Sequence, residues 1–190
     1  LTKKGGRRHR LAGRTFVYAM AGVAATSLVL SALGPTTFRL FLALVAVFSY
    51  YFVFSGYRVL ARKRPADTAE RLDWFAVALL LVAGVGLLGM GGWYLLEGTD
   101  FGTVMLVFGG IARVMGLADA RSFRAGTDAG EWLVDHLTRM GGAYIAAVSA
   151  FSAVNFASLP GVARWLWPTL VGTPVLVYLA RRYRPGGATA

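Results

Sequence analysis

Six long apolar runs decide what this chain can fold into. They cover residues 15–33, 38–57, 74–96, 101–118, 133–157 and 165–180. A helix needs about 20 mostly apolar residues to cross the roughly 30 Å of bilayer hydrocarbon. In lipid every backbone N–H and C=O has to be bonded within the chain, so runs of this length are helical. The short stretches of alternating polarity that a barrel requires are absent. The expected fold is therefore all-α: a single polytopic membrane domain over residues 1–190, with six transmembrane helices in three out-and-back hairpins.

The connections between the runs alternate in charge, and this sets the expected orientation. Residues 1–14 hold six Lys and Arg, residues 58–73 hold five, residues 119–132 hold two, and residues 181–190 hold three. These sixteen share one side; the other side has only Arg39 and Arg164. The positive-inside rule puts the sixteen in the cytoplasm, with the basic lead-in 1–14 and the tail 181–190. Topology thereby accounts for most of the net charge of +11, and nucleic acid is not an expected partner. The ends, LTKKGGRRHR and PGGATA, read as mobile. The chain opens on Leu1 rather than Met, and an upstream segment is expected. With no Cys, disulfides, thiolate-held clusters and thiol catalysis within this chain are excluded.

Several local signals fit these boundaries. Trp74 and Trp132 open spans from the inner side, Trp93 closes one on the outer side, and Trp165 and Trp167 open one there. All five are expected at headgroup depth. Asp67 with Glu70, and Asp128 with Glu131, have the N-cap to N3 spacing of a helix start. Pro168 falls in the first turn of the sixth run, whereas Pro174 is interior and should kink it. Small residues mark helix-packing faces, because membrane helices associate by close van der Waals contact. The expected set is Gly84, Gly86, Gly89, Gly91 and Gly92, then Gly109 and Gly110, then Gly142, Ala146, Ala150 and Ala153.

The acidic residues fall in connections or within one turn of an expected helix end, so no carboxylate is expected at mid-membrane. That disfavours an ion-coupled transporter. The candidate site is the inner end of the fifth run, Glu131-Trp-Leu-Val-Asp135-His136-Leu-Thr-Arg139-Met140. Spacings of three and four place His136, Arg139, Met140 and Ala143 on one stripe, with Glu131 and Asp135 beside it. Arg113 and Asp119 are expected to face it, and His9 lies on the same side. Three readings compete. One is a haem or metal site on His136 and His9, in which Met140 cannot lie opposite His136 because i and i+4 are side by side on a helix. The second is a site for a polar lipid head or quinone. The third is an interfacial network in which Arg113 and Arg139 reach the inner surface and pair with Asp119 and Asp135. No phosphate-binding loop, nucleophile elbow or zinc-protease motif occurs, so no enzyme is expected.

The stretch KKGGRRHRLAGRTFVYAM resembles the K-G-x-x-H-R-x-x-G-R segment of an uncharacterised family of bacterial predicted membrane proteins, that of domain of unknown function 2306. WLVDHLTRMGGAYIAAVSAFSAVN, followed by LWPTLVGTPVLVYLARRY, resembles that family's C-terminal half. Lys4, Gly5, His9, Arg10, Gly13, Arg14, His136, Arg139 and Met140 match its pattern. The resemblance implies a bacterial cytoplasmic (inner) membrane and supplies positions without a reaction. Family members usually carry one more helix ahead of the basic segment. The functional expectation is an accessory or structural subunit, or a binder of a lipid, quinone or pigment, working with other membrane subunits or as a homo-oligomer.

Overall fold

The computed structural model describes residues 5–64, 66–126 and 131–184. They form six α-helices: α1 Arg7–Leu33, α2 Thr37–Arg58, α3 Arg71–Leu96, α4 Phe101–Ala125, α5 Trp132–Asn155 and α6 Gly161–Tyr183. A single 3-10 turn, Val59–Ala61, continues α2, and no strand occurs among the described residues. Four of the helices, α1 to α4 with the 3-10 turn included in α2, are long and apolar enough to cross a membrane.

The hairpins are set by short, capped turns. Thr36 Oγ1 accepts the N–H of Arg39 at 3.2 Å at the start of α2, and Arg39 Nη1 donates back to the Gly34 carbonyl at 2.8 Å. At the head of α3 the capping pair lies three residues later than the spacing implied. Glu70 is the N-cap, and its N–H donates to Asp73 Oδ2 at 2.9 Å. Asp67 instead accepts the N–H of Arg64 at 2.9 Å, closing the preceding turn. Asp128, like Lys4, lies outside the described residues.

α2 is the central helix, flanked by α1, α3 and α5, while α3 pairs with α4 and α5 with α6. The α3–α4 contact is glycine against glycine. A Cβ on Gly91 would sit 2.9 Å from the Gly102 carbonyl, and one on Gly109 would sit 3.0 Å from that of Gly84. Gly142 faces Phe52 across the α2–α5 seam. Gly89, Gly92 and Gly110 look into open space, and Ala150 is exposed, so these four do not serve packing among the described helices.

Three helix ends differ from expectation. α1 begins at Arg7, so much of the basic lead-in is helix rather than mobile chain. α6 begins at Gly161, right after Pro160, which makes both Pro168 and Pro174 interior. α4 runs on to Ala125, which carries Asp119 inside the bundle, six residues and about 9 Å before the helix end. Two tryptophans also turn inward. Trp165 is buried against Phe41 and Phe101, and Trp167 Nε1 donates to Ser152 Oγ at 2.7 Å. Ring packing and a satisfied indole N–H hold both side chains against the bundle.

Candidate functional site

The starts of α1, α3 and α5 and the ends of α2, α4 and α6 gather at one end of the bundle, and the buried charges gather there too. Asp119 of α4 receives both arms of the Arg139 guanidinium from α5, Nη1 to Oδ2 at 2.7 Å and Nη2 to Oδ1 at 2.5 Å. The Tyr51 hydroxyl of α2 donates to the same Oδ2. Three helices are thus tied at one carboxylate, whose side chain is 6% exposed. A planar fork satisfies both oxygens at once, which is how a buried carboxylate avoids an orphaned charge.

A second ion cluster ties α2 to α3. Arg58 donates through Nε and Nη2 to Asp73 Oδ1 and Oδ2 at 3.0 and 2.9 Å, and Arg62 Nη1 lies 2.8 Å from Oδ2. Glu70 completes it, 3.0 Å from Arg58. The Arg62 guanidinium also covers the Phe123 ring at 4.7 Å, so its charge is held against an aromatic face rather than in water.

Between these clusters α2 and α5 meet at Gly56. A Cβ there would lie 3.0 Å from Arg139 Cβ and 3.3 Å from the Met140 backbone nitrogen, so any larger residue would press on α5. The approach brings His136 Nδ1 to 2.8 Å from the Gly56 carbonyl oxygen. A carbonyl can only accept, so Nδ1 carries the proton of the neutral ring and Nε2 is left as an acceptor.

His136 and Met140 line a cavity of about 530 Å³ whose other wall is α1. His9, Ala12, Gly13 and Phe16 face it at helical spacing, with Arg10 and Arg14 beside them. Tyr57, Leu60 and Ala61 close its floor. α1 touches α2 and no other helix, and the cavity fills the wedge between α1 and α5. The place combines two imidazoles, two guanidiniums and a phenol with apolar carbon, so it can hold an oxygen-rich or anionic head attached to an apolar body.

The remaining expected residues fall elsewhere. Asp135 and Glu131 line a separate cleft of about 280 Å³ with Arg62 and Arg139. Glu131 also pairs with Arg184 at 3.3 Å, linking the start of α5 to the end of α6. Arg113 faces α3, its Cγ 3.4 Å from where a Cβ of Gly84 would be, and takes no part in the Asp119 cluster. Among the described residues no three His, Asp or Glu side chains gather to hold a metal ion. Sequence reasoning missed Tyr51, Gly56 and the Arg58–Asp73–Arg62 cluster. The one available signal was a tyrosine within an apolar run, whose hydroxyl needs a partner.

In comparisons with known proteins, no family model matches the chain, and neither a curated protein nor a solved structure matches it.

Proposed function

We propose that this chain is a six-span protein of the bacterial cytoplasmic membrane that binds a lipophilic ligand by its polar head, in the cavity between α1 and α5. The observation that carries the reading is the shared cavity itself. Residues from opposite ends of the sequence, the exposed His9, Arg10 and Arg14 on one wall and His136 and Met140 on the other, line one open cavity of about 530 Å³. The resemblance to the domain of unknown function 2306 family belongs to the same proposal, since most of its matched positions line this volume.

The ligand head carries hydrogen-bond-accepting oxygens, as a quinone or an anionic lipid does. Arg10 and Arg14 supply donors for it. A protonated His136 donates through Nε2, and a neutral one accepts there. α1 leaves most of its surface open: Ala24 alone is buried in its 27 residues. That lets an apolar tail leave the cavity sideways, and it leaves α1 free to meet a neighbouring subunit.

Titration of the protein in nanodiscs with decylubiquinone, read by quenching of tryptophan fluorescence, tests the reading. Saturable quenching that weakens about tenfold in His136→Ala and in Arg10→Ala with Arg14→Ala supports it; that is the loss of one or two hydrogen bonds, some to charged groups. Quenching that only rises linearly with partitioned quinone, equally in all variants, contradicts it.

One observation favours a second reading, a haem or metal group held by His9 and His136. The Gly56 carbonyl orients the His136 ring and leaves Nε2 free, an arrangement common around metal-ligating histidines. A visible absorption band of the purified protein that is lost in His136→Ala would favour this reading over the quinone or lipid head.

A further inference from the structure

A second cavity, of about 320 Å³, lies between α4, α5 and α6, away from the inner polar cavity. On α5 it runs from Thr138 to Ser149 and on α6 from Thr169 to Ala180, twelve residues and so eleven rises along each helix. At 1.5 Å per residue the slot is about 16 Å long. Phe52, Ile111, Ile145 and Leu176 give it apolar walls, and no charged residue lines it. α4 and α6 make only a light contact, and the slot occupies the gap between them. Helices in lipid gain nothing from closing such a gap by hydrophobic exclusion, so a chain of matching shape can supply the missing van der Waals contact.

Ser149 gives the slot a polar foot. Its side chain is 2% exposed, and its Oγ has no hydrogen-bond partner. A helix hydroxyl can turn back to the carbonyl four residues earlier. Thr138 Oγ1 donates to Val134 at 2.8 Å and Thr26 Oγ1 to Gly22 at 2.8 Å. Ser149 does not, although an orphaned hydroxyl in apolar surroundings is costly.

We propose that this slot binds a neutral single-chain lipid, with its one hydroxyl or carbonyl oxygen hydrogen-bonded to Ser149 and its hydrocarbon chain laid along α5 and α6. The slot's lining runs lengthwise along α5 and α6, which fits a linear chain. It offers no counter-charge, which excludes an ionised head at that depth. The polar foot presents one buried hydroxyl without a partner, which pairs with one oxygen.

The test uses the whole chain in nanodiscs and a hexadecanol carrying a photoactivatable diazirine in mid-chain, with labelled peptides mapped by mass spectrometry. The expected result is saturable labelling between residues 138 and 149 and between residues 169 and 180, displaced by plain hexadecanol and displaced poorly by hexadecanoate. Ser149→Ala should weaken the apparent affinity about fivefold, as loss of one ordinary hydrogen bond does, while thermal stability without added lipid holds or rises because the orphan is gone. Ala146→Phe, which fills the slot, should abolish saturable labelling. His136→Ala should leave it unchanged, so failure of the inner-cavity proposal would not disturb this one. Labelling that does not saturate, or that spreads over the outward faces of α1 and α3, overturns the proposal. So does a Ser149→Ala variant that loses thermal stability yet labels like the parent. If Ala146→Phe fails to fold, the Ser149→Ala result decides alone.

Discussion

At Gly56 the absence of a side chain sets the distance between α2 and α5, and with it the position of His136. Gly56→Val should push the helices apart, remove the bond that orients His136 and destabilise the fold by about 1–3 kcal/mol, the usual range for an overpacked contact. Thermal unfolding in detergent measures the stability, and the decylubiquinone titration shows whether the inner cavity survives. Asp119 provides a sharper test. Asp119→Asn leaves the Arg139 charge buried against a neutral partner and should cost about 3–5 kcal/mol, whereas Asp119→Leu combined with Arg139→Met should recover most of that loss. A double variant as unstable as Asp119→Asn would show that the fold depends on the charges themselves. His9, His136, Asp119 and Arg139 were legible in the sequence because ionisable residues beside apolar runs are few and conspicuous. Tyr51 and Gly56 were not, because inside a hydrophobic run a tyrosine reads as one more aromatic and a glycine as one more packing residue. Asp73 looked like part of a connection, and only its partners, Arg58 and Arg62, reveal it as a buried anchor.

At the scale of helices, the sequence shows which segments are helical but not which face of each turns inward. Six apolar runs became six helices among the described residues, since the length of a run is a one-dimensional property. Facing depends on the partner helix. Gly109 and Gly110 are neighbours in sequence, yet a Cβ on Gly109 would lie 2.9 Å from Leu88 Cγ, while one on Gly110 meets nothing within 4 Å. Gly109→Leu should therefore separate α3 from α4 and lower the thermal midpoint markedly. Gly110→Ala should be neutral or stabilising by about 0.5–1 kcal/mol, from the lost conformational freedom of glycine in a helix. Equal effects at the two positions would show that α3 and α4 meet in another register. Helix ends were misjudged where polar residues continue a helix beyond its apolar stretch. The first turns of α1 are basic, and the last turns of α4 hold Asp119, Arg121 and Arg124.

Across the whole molecule, the charge pattern and the geometry point to one arrangement. The ends of α2 and α4 and the starts of α1, α3 and α5 meet through Arg58–Asp73, Asp119–Arg139 and the His9–His136 cavity, and this is the end where the basic connections lie. Because the chain has no native Cys, single cysteines report sidedness without background. Cysteines at Arg64 and Arg124 should react only from the cytoplasm, and ones at Thr36, Thr99 and Ser158 only from outside. Reversed labelling of any hairpin would contradict the six-span arrangement. The central claim, that the cavity between α1 and α5 holds a lipophilic ligand, is tested most directly by native mass spectrometry of the protein released from its own membranes. The account predicts a lipophilic molecule retained at one per chain by the parent and lost from a folded His136→Ala variant. A parent that emerges empty, or a variant that retains the same molecule at the same ratio, would contradict it.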